Sequence, residues 1–464
     1  MTGRESLMNA AYVPPYPPRP SGALSTLRMV REASRNLLAV WPDRAFEWKL
    51  FSYKVLRRQI VVCNSPDSVQ HAFIEHAANY HPKSIEQKRA LAPLLGDGLF
   101  ISEGKLWKER RRVVAPVTHA SRMAALSVVM SEAAQEQREA WAALPDGGHV
   151  DALEAMAALT AKIICLALFG RDLGARNAQT VVEAFTEYQA SIETISLLSM
   201  LGFGQLLPNL RWLRARRATA RIHAVVDRLI ADIMQGGSGG EASLIRAMAE
   251  GVDTTTGEGM GPVAFRNEAA TLFMAGHETT ANTLAWAWFL LSQAPEVEAR
   301  LHAELDAVLP ADRPAQWGDL RNLPYTKAVI EETMRLYPPV PLQARTAVAA
   351  DQIGTRPVAA GATVMVVPWL LHRHRRLWDR PDHFLPERWL PGGGAPPSKY
   401  AYVPFSIGPR ICPGLSFGLT EAILCLATLA RHARLRLQPG VDVQPVCRLT
   451  LRPGDSLPMQ IFRR

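Results

Sequence analysis

No proline interrupts the chain between Pro262 and Pro295, and the residues between them include the apolar run "LAWAWFLL" at 284–291. Proline is tolerated in the first turn of a helix and ends one from just beyond it, so the spacing predicts a single helix over Pro262–Gln293. At 1.5 Å per residue it would be roughly 45 Å long, enough to cross the whole molecule. One large, mainly helical body suits such an element.

The rest of the chain agrees. Helical periodicity runs through 120–143, 151–169, 178–199, 213–235, 296–308, 325–336 and 416–433. Strand-like segments are fewer: "RQIVVC" at 58–63 and the alternating "ATVMVVPW" at 362–369. "SPDSVQHAFIEHA" (65–77) reads as a helix with Ser65 as N-cap and Pro66 in first position. The fold class expected is mainly α with a small β part. Although 464 residues would suggest about three domains, no repeat or low-complexity linker divides them. The short Gly-rich pieces at 144–149, 235–241 and 390–397 read as surface loops. The division expected is a proline-rich segment over 1–25 and a single domain over 26–464.

Charge and cysteine usage narrow the function classes. The net charge of +9 comes without zinc-finger spacing or a basic-aromatic tract, so nucleic acid is not an expected partner. "KERRR" (108–112), "RARR" (214–217) and "HRHRR" (372–376) read first as solvated surface. No unbroken apolar run approaches the ~18 residues of a membrane span, and no span is expected. The five cysteines form no CxxC pair, which suits a reducing compartment and a cytoplasmic location.

Four segments carry chemistry. In "FMAGHETTAN" (273–282) a glycine and two threonines weaken an otherwise apolar helix that also holds Glu278. Either small residues here admit another helix, or Ala275 and Gly276 clear room for a ligand beside Glu278 and Thr279. In "YTKAVIEETMRLYPPVPLQAR" (325–345), Glu332 and Arg335 share one helix face. As a surface pair they would contribute little, but Arg388 in "HFLPERWL" (383–390) offers a third partner for a buried set. Finally, "PFSIGPRICPGLSFG" (404–418) places Cys412 among glycines and prolines before an apolar helix. Alone, that cysteine could be a nucleophile, a metal ligand or a packing residue.

In this order and spacing the four segments resemble the cytochromes P-450, the haem-thiolate monooxygenases, and residues 405–414 fit that family's haem-binding signature at every defined position. The resemblance is looser in the N-terminal half, where it rests on "EGKLWKERRRVVAP" (103–116). It implies one large domain with the long helix crossing over the haem. The cofactor implied is haem b (iron protoporphyrin IX), with Cys412 as its proximal thiolate and sole protein metal ligand. Gly408 and Gly414 would let backbone N–H groups turn toward the sulfur, and Phe405 would shield it. Arg410, Arg345, and Trp107 with Arg111 would reach the haem propionates. Glu332, Arg335 and Arg388 would brace the fold behind the cysteine loop.

On the oxygen side the resemblance makes Glu278 and Thr279 an acid–alcohol pair that passes protons to dioxygen, with Ala275 and Gly276 beside the cofactor. The reaction implied is insertion of one atom of O2 into a small hydrophobic substrate. A fatty acid, terpenoid or steroid would suit the mostly apolar segments at 94–102, 196–208 and 338–344. The chain has neither a flavin domain nor an iron–sulfur cysteine set, so electrons are expected from a ferredoxin or flavodoxin with its NAD(P)H reductase. Lys105, Lys108 and Arg112, with Arg373, Arg375 and Arg376, are the expected docking patch. The alternatives are a non-oxidising haem sensor or carrier, and a peroxide-using haem-thiolate enzyme.

Overall fold

The computed structural model describes residues 11–22, 24–55, 58–170, most of 180–191, 210–234, 243–251, 259–394, 398–447 and 449–464. The helix expected over 178–199 falls only partly within these, and the segments 196–208 and 235–241 lie outside the described residues. Five helices position the site: α1 (Gly104–Val117), α2 (Ala152–Phe169), α3 (Pro262–Gln293), α4 (Pro324–Leu336) and α5 (Leu415–Ala430).

Helix α3 is unbroken over the span that its flanking prolines dictate. Gly261 caps it, Pro262 fills the first position, and Ala294 leaves helical geometry just before Pro295. Most of its side chains are buried, with α2 and α5 packed along it. A Cβ on Gly276 would lie 2.7 Å from Ile164 Cδ1 of α2. Gly276 is therefore a packing notch between two helices, half-buried beside the exposed Ala275.

Helix α2 is strongly apolar, although Glu154 and Lys162 keep it from being an unbroken apolar run. Over its 18 residues the mean hydropathy is 1.9, and a second such window lies within Gly104–Ala142. By length and composition both could cross a bilayer, but 67% of α2 is buried inside this fold.

The β part is small. Arg58–Cys63 pairs antiparallel with Leu50–Val55 and parallel with Thr363–Val366, which in turn pairs antiparallel with Gln343–Thr346. The predicted strand at 362–369 stops at Val366 because Pro368 opens a helical turn. The predicted helix at 65–77 also divides. Ser65 caps α-helical residues Pro66–Gln70, and a π-helical turn follows over His71–Glu75, closed by the His76 N–H on the His71 carbonyl at 2.8 Å. The described part of the proline-rich segment lies on the fold. Tyr337 donates its hydroxyl to the Pro15 carbonyl at 2.7 Å, and Arg19 pairs with Asp382 at 2.6 Å.

Behind the cysteine loop, Glu332 and Arg335 of α4 are fully buried. All five N–H groups of Arg335 are used: two on the Glu332 carboxylate at 2.8 Å, the others on the carbonyls of His372, Pro381 and His383. Arg388 Nε and Trp389 Nε1 add bonds to Glu332 at 3.0 and 2.9 Å. Burial pushes the Glu332 carboxyl up, but Arg335 and Arg388 outweigh it and hold it down to about 2. The brace reaches the loop through His372. Burial, with Arg335 and Arg373 alongside, pushes that imidazole well below its ordinary range. Its neutral Nε2 accepts the Val403 N–H at 2.9 Å.

Candidate active site

The loop before α5 is built around two close approaches. Gly408 has φ of +74°, and a Cβ there would run into the Phe73 carbonyl oxygen of the π turn. No residue with a side chain fits. The Cys412 N–H then bonds the Phe405 carbonyl at 2.8 Å, which folds the loop over the cysteine. Gly414 is the N-cap of α5, and its N–H bonds the Cys412 sulfur. Burial pushes the thiol up, while that N–H, Arg111 and Lys83 pull it down. Burial prevails and leaves the thiol above its ordinary range, so the charge of a bound metal ion would be what holds this sulfur as a thiolate. Cys63, Cys165 and Cys425 are buried packing residues by comparison.

Across from this loop, α3 and α5 touch at Gly418, where a Cβ would lie 3.7 Å from Thr280 Oγ1 and 3.8 Å from Phe405 Cε1. Next to that contact one face of α3 opens. Ala275 is exposed and Thr279 half-buried, although Phe273, His277, Glu278 and Thr280 around them are buried. Thr279 lies one turn beyond Ala275 and donates its hydroxyl to the Ala275 carbonyl at 2.8 Å.

Glu278 does not share that face. Neighbours on a helix point about 100° apart, and its carboxylate is buried on the side of the Val446–Cys447/Leu451–Arg452 hairpin. There its Oε1 accepts from Thr450 Oγ1 at 2.6 Å and from Arg452 Nη2 and Nε at 2.6 and 2.9 Å. The expectation of acid and alcohol side by side is thus corrected in its geometry: Thr279 is on the open face, and Glu278 is clasped by the hairpin.

A second set of groups gathers at Arg345 and Arg410. Arg345 is 2% exposed, and it bridges backbone to backbone with Lys83. Arg410 Nη2 donates to the Ser102 carbonyl at 2.6 Å and lies 3.3 Å from His81 Nδ1. The Arg410 guanidinium stands over Trp107, whose ring meets His81 edge-on with centroids 4.6 Å apart. Arg111, on the same face of α1 as Trp107, turns instead to the cysteine loop and donates to the Ile411 carbonyl at 2.8 Å. Burial pushes Arg345 down to about 9 and Arg410 down to about 10, and it pushes Lys83 well below the ordinary lysine range. Among the described residues, Arg111, Arg345 and Arg410 form no ion pair. Arg410 Nε, His81 Nε2 and Ser102 Oγ are buried with no hydrogen-bond partner.

The whole chain can be set against known proteins. Residues 42–456 match the family model for cytochrome P450. The chain belongs to the cytochrome P450 family. It is 34% identical to cyclooctatin synthase of Streptomyces melanosporofaciens over 84% of this P450 and 83% of that protein. It is 30% identical to pentalenene oxygenase of Streptomyces avermitilis over 80% and 81% of the two chains. Among solved structures it is similar to the cytochrome P450DA heme domain, at 25% identity with a TM-score of 0.81, covering 97% of this chain and 98% of that one. This P450 is a haem-thiolate monooxygenase that needs an organic substrate, O2 and an electron-donating partner.

The residues present fit haem. A buried cluster of unneutralised cations is costly unless an anion completes it, and two propionates are anions of the required kind. Cys412 would supply the thiolate, while Arg345, Arg410, Lys83 and His81 would take the propionates. When bound, the haem supplies the redox chemistry that splits O2 and transfers one oxygen atom. Lys83, His81 and Ser102 were not marked by any motif. They are drawn in by the β-bridge to Arg345 and by the Trp107 and Arg410 side chains. Thr450 and Arg452 were missed likewise, since nothing local in "RLTLRPG" announces a distant carboxylate.

The surface expectation divides. Lys105, Lys108 and Arg112 are all exposed on α1, and Arg376 is exposed as well. Arg375 is engaged with Asp43 and Glu47. Arg373 belongs to no patch: it is 1% exposed, stacked 3.8 Å over the Trp369 ring and facing Asp382.

Proposed function

We propose that this P450 hydroxylates an uncharged, largely hydrocarbon molecule, with haem b as its cofactor and a cytoplasmic ferredoxin or flavodoxin, with an NAD(P)H reductase, as its electron source. The carrying observation is the open face of α3. At its centre stand a methyl group, Ala275, and one hydroxyl, Thr279, while the nearby carboxylate is already taken by Arg452. A substrate carboxylate or ammonium would meet no counter-charge at either residue. The names of relatives add support. One is a cyclooctat-9-en-7-ol 5-monooxygenase from S. melanosporofaciens, 33% identical, and another a carotene epsilon-monooxygenase from Arabidopsis thaliana, 28% identical.

In this reading Thr279 holds the proton-donating hydroxyl at the reacting side. Glu278 stands one position round the helix, where Thr450 and Arg452 fix its carboxyl group. The preference for an acidic donor rests on Lys105, Lys108 and Arg112, whose positive field would speed encounter with it.

Binding-difference spectra test the substrate class. Pentalenene, carotene and cyclooctat-9-en-7-ol should shift the haem Soret band, and long-chain fatty acids should not. A stronger response to the fatty acids would overturn the proposal. Turnover with a surrogate ferredoxin and reductase then tests Thr279. Thr279→Ala should keep consuming NAD(P)H while diverting more of it to hydrogen peroxide; retained coupling would remove Thr279 from the relay.

A further inference from the structure

The π turn at His71–Glu75 presents the Phe73 carbonyl to Gly408, and it also does something an α-helix does not. Its hydrogen bonds close over five residues rather than four, which brings residues five apart onto one face. His71 and His76 consequently stack, with ring centroids 4.0 Å apart and planes 24° from parallel. Asp351 stands opposite them, at the start of the hairpin that pairs Asp351–Ile353 with Arg356–Val358. Its Oδ2 lies 3.0 Å from His71 Nε2 and 3.1 Å from His76 Nδ1. All three ligand atoms fall within 4.8 Å of one another.

We propose that His71, His76 and Asp351 form a binding site for a divalent transition ion of the zinc class, through Nε2, Nδ1 and Oδ2. The donors are of the right kind, since two imidazoles and a carboxylate are a recurrent zinc set with one position left for water. Two of the three separations suit as well, and the stacked rings would turn to aim both nitrogens at the ion. Ligand atoms about 2.0–2.2 Å from a tetrahedral zinc lie roughly 3.3 Å from each other, close to the two oxygen–nitrogen separations observed. The carboxylate needs no activation: burial pushes it up, but bonds from Tyr80, His71 and the Gln352 N–H outweigh this and hold it down to about 2. Tyr80 and Gln352, at 2.7 Å each, also fix its orientation from behind. The approach is open, because the His76 side chain is 45% exposed. A bound ion would cross-link the π turn to the hairpin and so stiffen the wall against which Gly408 packs.

The test uses the purified, haem-loaded full chain, stripped with a chelator and then equilibrated with zinc alone. Elemental analysis against haem iron should give one tightly held zinc per chain, with affinity read by competition against a chromophoric chelator. His76→Ala and Asp351→Asn should each weaken zinc binding by at least about tenfold, the scale on which even supporting groups of metal sites act. Both should retain their haem and its spectrum, since His76 is largely exposed and Asn keeps the shape of Asp. His119→Ala, a surface histidine bonded to Ser121, should leave the affinity unchanged. A wild-type chain that holds zinc no better than His76→Ala and Asp351→Asn would overturn the site and leave the trio a hydrogen-bonded clasp. Equal losses in His119→Ala would also overturn it, as adventitious surface binding.

Discussion

Two of the regions that bury arginine in this P450 treat it in opposite ways. Behind the cysteine loop, Arg335 and Arg388 surround Glu332, and every N–H of Arg335 has an acceptor. In front of it, Arg345 and Arg410 are buried or half-buried beside Lys83, and the two guanidiniums have no ion pair among the described residues. A compensated buried charge belongs to the scaffold, because removing a partner leaves a naked ion. An uncompensated set is a receptor, whose missing countercharge arrives with a ligand. The difference separates what holds the fold from what holds the cofactor, although both consist of the same residue type.

The sharpest way to break this comparison is to treat the two regions alike. Arg335→Ala should prevent accumulation of folded protein, since breaking a buried pair costs about 3–5 kcal/mol. Soluble, haem-replete Arg335→Ala would return the pair to the class of weak surface bridges. Acid should attack the compensated region as well. The Glu332 carboxyl is held at about 2, below its ordinary 4.5. Its stabilisation, on the order of 3 kcal/mol, is therefore complete above pH ~4.5 and lost as pH falls toward 2. Urea unfolding between pH 5 and pH 3 should show stability falling, and a flat profile would mean that Glu332 is not a held anion.

The uncompensated region should respond differently. Arg345→Leu should leave the melting temperature of the haem-free chain unchanged or higher, because it removes a buried charge without an ion partner. Haem affinity should fall roughly ten- to hundredfold, the equivalent of about 1.5–3 kcal/mol for a hydrogen bond to a charged group. A variant that loses its fold as Arg335→Ala does would erase the distinction. The smallest effect belongs to a third group of cations, those on the exposed face of α1. Reversing Lys108 and Arg112 to Glu should slow reduction by an acidic donor at low salt, and the gap should shrink near 0.5 M salt as screening shortens to a few ångströms. Equal rates at low salt would remove this face as the docking site.

Local rules explain what could be read before the fold was known. The bounds of α3 were legible because proline acts on its own neighbourhood, and the Glu332–Arg335 contact because i and i+3 always meet on a helix. The direction of small and charged residues was not. A glycine in a helix looks the same whether a ligand or another helix fills its notch, and only the fold brings Ile164 of α2 against Gly276. The "HRHRR" run looked like one solvated cluster, yet Trp369 draws Arg373 into the core. His71 and His76 had no visible relation, since a spacing of five matches no α-helical face and becomes one only in a π turn. Glu278 and Thr279 were read as a pair from the resemblance to the family, and adjacent residues on a helix point about 100° apart, so only the fold shows that they serve different faces.

The clasp on Glu278 carries a consequence for how the molecule is made. Arg452 follows its carboxylate by 174 residues, so a ribosome that has already delivered α3, the cysteine loop and α5 has not yet supplied the guanidinium. Long-range contacts of this kind close last, because the loop entropy must be met before any bond forms. Until then Glu278 must either stay hydrated, which keeps that side of α3 from packing, or be buried without Arg452. The nascent protein therefore has a point of commitment late in its synthesis, and a chain arrested after α5 would carry every ligand of the haem yet lack a settled distal wall.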